Sequence, residues 1–172
     1  MNRRDAVLMT ASTLAAGFSL AALPGTARAA SLKRRLVGTW SLVSARNQSA
    51  NGTDSSGFGG SEKGLLILDA SGHVSLMILG GARRRFAGGD RLRGTAEENQ
   101  AAVAGTLAYF GTWTVDSKTR VLTFKITASS FANFDGSTQL RPIVSLTDQE
   151  MHWHNPTPTS GASAEIVWRR AR

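Results

Sequence analysis

From residue 37 onward, apolar and polar side chains alternate along the chain with a period of two rather than 3.6, the signature of half-buried strands. Residues 37–46 set Trp40 and Leu42 among small and polar neighbours, then run into the polar stretch Asn47-Gln48-Ser49-Ala50-Asn51-Gly52. The loop continues through Gly57-Phe58-Gly59-Gly60 and is long enough to be a flap rather than a turn. Leu65-Leu66-Ile67-Leu68 and residues 73–79 flank Asp69-Ala70-Ser71-Gly72, which predicts a hairpin. Residues 109–115, 120–127, 138–146, 150–154 and 164–170 supply five further strands, joined by turns at 116–119 and 147–149 and by a loop at 156–161. Between the third and fourth strands, Thr95-Ala96-Glu97-Glu98 reads as a capping box, and the Ala-rich residues 99–107 predict the one helix. The pattern as a whole predicts an all-β fold: an eight-stranded antiparallel up-and-down barrel with one short helix inserted after the third strand. Closure removes exposed edges, and about eight strands enclose an interior that is either filled by side chains or holds one small ligand.

The first 29 residues stand apart from this pattern. Asn2-Arg3-Arg4-Asp5 is a basic start, residues 6–23 are apolar apart from Thr, Ser and Gly, and Ala27-Arg28-Ala29 has the small-x-small form of a cleavage site. Residues 1–29 are therefore expected to be a cleavable export signal, and Arg3-Arg4 points to the twin-arginine route. Residues 30–172 then form one domain, expected to be periplasmic or secreted, with no integral membrane span after processing. Removing Arg3, Arg4, Arg28 and Asp5 lowers the formal net charge from +8 to +6. The sequence holds no cysteine, which excludes disulfides and thiol chemistry. The charge concentrates at Arg83-Arg84-Arg85, with Arg91 and Arg93 close behind. Glycine pairs on both sides and Phe86 as the one nearby aromatic make this a solvated basic loop, suited to weak contact with an anionic surface and not to nucleic acid.

Candidate chemistry is sparse. His152-x-His154 lies on a strand, so both imidazoles share a face. Met151 and Trp153 are the natural inward residues, which leaves the histidines outside, exposed and without a metal. No Gly-x-Ser-x-Gly elbow or Ser/His/Asp set is evident, and Glu97-Glu98 is explained by a helix start. No catalytic residue, metal site or cofactor is expected. Ligand cavities are mostly apolar with a few convergent polar groups, and Tyr109, Trp113, Phe124, Phe131, Phe134 and Trp153 are the candidate lining residues. Tyr109, Gly111 and Trp113 share one strand face, which is assigned to the lumen. Arg141, mid-strand, is the one charge placed to meet a carboxylate or phenolate.

Five segments together resemble the bacterial lipocalin-like domain family. They are Leu36-Val37-Gly38-Thr39-Trp40, the Asp69-x-x-Gly72 hairpin, residues 108–116, Asn133-Phe134-x-Gly136-Ser137-x-Gln139-Leu140-Arg141, and Val167-Trp168-Arg169-Arg170. Where such proteins often carry histidine on the strand after the Tyr/Gly segment, this chain has Phe124-Lys125. The resemblance implies that Gly38-x-Trp40 forms the floor of the barrel, with an arginine of the final strand, Arg170 or Arg169, across the Trp40 ring. Arg170 is the partner if Trp168, on the same strand face, points inward. It also implies a protein that binds a small apolar or amphipathic molecule. The alternatives are a barrel enzyme (isomerase, cyclase or hydrolase) using Tyr109 or Arg141, and a structural or partner-binding barrel whose lumen is already filled by Trp113, Phe124 and Trp153.

Overall fold

The computed structural model describes residues 31–49, 54–159 and 163–172; the expected signal, with Arg3-Arg4 and Ala27-Arg28-Ala29, lies outside them. The strands are β1 (Gly38–Gln48), β2 (Asp54–Ser56), β3 (Lys63–Leu68), β4 (His73–Leu79), β5 (Thr106–Asp116), β6 (Val121–Ser129), β7 (Thr138–Leu146), β8 (Glu150–Asn155) and β9 (Ser163–Arg170). Every pairing is antiparallel, and β1 bonds β3 through Gly38 to Ser41 and β9 through Trp40 to Gln48. That double pairing closes eight strands into a barrel. The three-residue β2 is a ninth strand added to the far end of β1 at Arg46 to Gln48. Period-two burial is clearest on β4 and β8, where Val74, Leu76 and Ile78, and Met151, Trp153 and Asn155, are buried in alternation with more exposed neighbours.

Three bulges bend the sheet. The register slips by one residue at Val43 in β1, at Thr127 in β6 and at Val144 in β7. Both valines are exposed, so the extra residue is accommodated on the outer face while the inward phase resumes beyond it.

The helix, α1 (Ala96–Ala104), begins where the capping box predicts: Thr95 accepts from the Glu98 amide, and Glu98 accepts from the Thr95 amide. Its last residue is Ala104, three residues short of the expected Leu107, with Gly105 as the cap. None of its residues is buried, whereas Thr106 and Leu107 pair with Leu79 and Ile78 in the sheet. Ladder bonds and apolar contact at the barrel wall outweigh one more turn of a helix that buries nothing. A second departure precedes the barrel: residues 31–36 are helical, with Leu36 wholly buried and Leu32 packed on the core. The signal for it was the i, i+4 spacing of those two leucines.

Candidate functional site

The two ends of the barrel are built differently. At the end where β1 starts and β9 finishes, the Trp40 ring is wholly buried, and the Arg170 guanidinium lies 4.1 Å from its centroid. The two residues are direct partners across β1 and β9. Arg170 also donates to three carbonyls: Val37 (3.0 Å) and Arg35 (2.5 Å) before β1, and Asp148 (2.8 Å) in the β7–β8 turn. Gly38 makes room for this clasp. Its φ is +141°, and a Cβ there would lie 2.6 Å from Arg170 Nη1. Trp168 is fully buried on the same strand face, which settles the choice of arginine; Arg169 faces outward, 3.7 Å from Glu150. The Trp40 indole donates to the Leu36 carbonyl and the Trp113 indole to the Asp69 carbonyl, each at 3.0 Å, so the helical stretch and the β3–β4 turn seal this end.

Above the floor the lumen is packed. Phe124 meets Trp153 edge-on at 5.8 Å, Trp153 meets Trp168 at 5.5 Å, and all three are wholly buried. Trp113 and Phe124 therefore belong to the filled half of the barrel and line neither recess described below.

The upper half is different in kind. Gln139, Arg141 and Asn155 are buried polar side chains on inward phases of β7 and β8. Arg141, 3 % exposed, donates to the Leu140 carbonyl at 2.7 Å and reaches Gln139 Oε1 at 3.5 Å, and it lies close enough to Tyr109 for the two groups to influence each other electrostatically. Among the described residues no carboxylate forms an ion pair with it. Burial pushes the Tyr109 phenol above its ordinary pKa and draws the Arg141 guanidinium below its own, each shift partly offset by the other group. Tyr109, Phe134, Arg141, Trp153 and Asn155 line an inner cavity of about 30 Å³, room for about two water molecules. No Asp, Glu or His is among its described lining residues. The indole N–H of Trp153 is buried and has no acceptor among the described residues.

Outside this cavity, at the mouth, lies a pocket of about 500 Å³ formed by the 57–59 loop, the end of α1, the start of β5 and the 130–131 turn. Inner cavity and mouth share Gly57, Phe58, Leu107 and Thr159 as walls. Phe131, 38 % exposed, stands at the rim, stacked edge-on against Phe134 at 5.3 Å. Phe58 is held over the opening by a close backbone approach: a Cβ on Gly80 would lie 1.9 Å from the Phe58 carbonyl oxygen. The arginine loop borders the same mouth, with Ala82 in the pocket wall and Arg83 donating to the Gly80 carbonyl at 3.0 Å.

Of the sequence candidates, then, Tyr109, Phe134, Arg141 and Trp153 come together at the inner cavity and Phe131 at the mouth, whereas Trp113 and Phe124 fill the lower lumen. Phe58, Gln139 and Asn155 were missed. Asn155 and Gln139 were detectable, since each is in phase with an inward neighbour two residues away, Trp153 and Arg141 respectively.

The histidines lie on the outer face but are not free there. His152 Nε2 donates to Glu165 Oε2 at 2.5 Å and His154 Nδ1 to Glu165 Oε1 at 2.8 Å, and both side chains are about a third exposed rather than fully so. Glu165 stands beside them because it pairs with His154 across β8 and β9. Among the described residues no group of three or more His, Asp or Glu is placed to hold a metal ion. The β3–β4 turn carries another apparent constellation, with Ser71 Oγ 2.8 Å from both Asp69 oxygens and from His73 Nδ1. It is a turn device, not a relay. Asp69 accepts from Ser71 and from the Gly72 and His73 amides, so the carboxylate engages the hydroxyl itself instead of orienting the far nitrogen of the imidazole. Those bonds hold the Asp69 carboxyl down to about 2.

A closed antiparallel barrel, plugged at one end by a tryptophan under an arginine and recessed at the other, is a cup. The chain belongs to the lipocalin-like domain family, whose model matches residues 37–171. A search of curated proteins finds no match. Among solved structures the chain is similar to a de novo designed fluorescence-activating β-barrel (13 % identity, TM-score 0.41, covering 81 % of this chain and 96 % of that one). It is also similar to a redesigned β-barrel (11 % identity, TM-score 0.43, covering 84 % and 96 %). The barrel assignment rests on the closure between β1 and β9.

Proposed function

We propose that this protein is an exported lipocalin-like barrel that takes up a small apolar or amphipathic molecule at its open end. The observation that carries the reading is the recess itself: a mouth of about 500 Å³, within the roughly 300–1,000 Å³ of ordinary ligand sites, leading past Phe58 to a small polar chamber. The filled lower lumen restricts the molecule to the upper half of the cup, with Trp153 in the wall of its chamber. Export rests on the leader sequence alone. Among the described residues no helix is long and apolar enough to cross a membrane. An enzyme reading has weaker support, since no carboxylate or imidazole is among the chamber's described lining residues and burial drives the Tyr109 phenol away from neutral pH. The four buried tryptophans favour a second reading, a barrel filled by its own side chains that acts through its surface.

Native mass spectrometry of protein purified from the periplasm of its own cell separates these. A small molecule co-purifying with a chain shortened by the first 29 residues is the expected result. An apoprotein mass alone, together with no binding of an added apolar probe such as 1-octanol, would overturn uptake in favour of the filled barrel; a full-length chain retained in the cytoplasm would overturn export.

A further inference from the structure

We infer that the molecule taken up is a monocarboxylate with a short apolar body, seated head-down with its carboxylate on Arg141. This rests on the binding reading above and specifies its chemistry. Arg141 is buried at the bottom of the recess without a carboxylate partner among the described residues. An arginine in that position is destabilising until an anion joins it. Its surroundings are also rich in donors. Tyr109 contributes a hydroxyl kept protonated by burial, Asn155 lines the same chamber, and the Trp153 indole N–H there has no acceptor among the described residues.

Size and shape narrow the anion. A chamber of about 30 Å³ holds roughly what two water molecules occupy, which suits a planar two-oxygen head and not a tetrahedral phosphate with its larger shell and second charge. One guanidinium fork matches one carboxylate. From there the apolar body passes Leu76, Ile78 and Leu107 and emerges beside Phe58 into the mouth. The segment that leaves the mouth wall at Ala82 and leads into α1 carries five arginines, Arg83, Arg84, Arg85, Arg91 and Arg93, against Asp90, Glu97 and Glu98, a positive balance on this side of the barrel that favours the approach of anions.

The test is calorimetric titration of the processed protein, residues 30–172, with octanoate, 1-octanol and octylamine, in the native chain and in Arg141→Met. The native chain should bind octanoate at least tenfold more tightly than 1-octanol, and octylamine most weakly. Arg141→Met should abolish the preference, bringing octanoate down to the level of 1-octanol in the same variant. In parallel, ¹³C-carboxyl octanoate bound to the native chain should titrate at lower pH than free octanoate, a readout that survives if the variant fails to fold. Equal affinities for octanoate and 1-octanol, or a bound carboxyl titrating like the free one, would overturn the carboxylate assignment and leave uptake of apolar molecules standing. Failure of all three probes to bind would overturn both.

Discussion

The lower and upper halves of this barrel use the same strands for opposite ends. Below, inward positions are Trp40, Trp113, Phe124, Met151 and Trp168, at most 2 % exposed, and the indoles of Trp40 and Trp113 are satisfied by backbone carbonyls. Above, the same phases of β7 and β8 present Gln139, Arg141 and Asn155, polar groups that weaken a core instead of building it. The packed core and the polar recess are thus separated along the barrel axis. Sites that hold unsatisfied or strained groups are commonly destabilising to the fold, and here the packed floor offsets what the chamber costs.

The sharpest way to break this comparison is to cut one residue from each half. Trp40→Ala should destabilise the protein by about 3–5 kcal/mol, as for other large core truncations, with the octanoate-over-octanol preference intact in whatever folds. Arg141→Met should do the reverse: loss of that preference with stability unchanged or raised by up to about 1–4 kcal/mol, because an uncompensated buried charge is replaced by an apolar chain. Urea unfolding followed by tryptophan fluorescence measures both, and an Arg141→Met protein as unstable as Trp40→Ala would erase the distinction between halves. Next in size, Arg170→Met loses the stack on Trp40 and three carbonyl bonds, an expected cost of about 2 kcal/mol. Arg169→Met, exposed and 3.7 Å from Glu150, should leave the melting temperature within a degree or two. The smallest effect is at the β3–β4 turn. The folded Asp69 carboxyl titrates at about 2 against an ordinary 3.8, so its contribution is present above pH 3.8 and is lost as pH falls through about 2. Asp69→Asn should flatten that part of the acid unfolding curve, and carboxyl NMR of the native chain should find the low-titrating group directly.

The same division governs what could be read from the chain before folding. Strand phase is local, so the inward faces of β5 and β8 and the choice of Arg170 over Arg169 follow from alternation with Trp168 and Trp113. Height along the barrel is not local. It depends on strand tilt and on the slips at Val43, Thr127 and Val144, none of which has a sequence marker. Neighbouring aromatics therefore ended at different levels: Phe124, on β6, in the packed half; Phe134, in a short 3₁₀ turn after β6, at the chamber; and Phe131, just before that turn, on the rim. The strand β2 was invisible for a different reason. Its three residues, Asp54-Ser55-Ser56, are all exposed and carry no apolar pattern; they are held by pairing with β1. The end of α1 falls earlier than expected because Gly105 closes the helix after Ala104 and the neighbouring β4 takes Thr106 and Leu107 into the sheet.

The clasp at the floor also sets a schedule. Arg170 grips the Val37 carbonyl across 133 residues of chain, and β1 finds a full-length partner only in β9. During synthesis the first strand must wait, half-paired, until the ninth has emerged, and the final closure is the most non-local event in the fold, a class of contact that slows folding. The arginine that finishes the last strand therefore acts as a latch on the closure of the barrel.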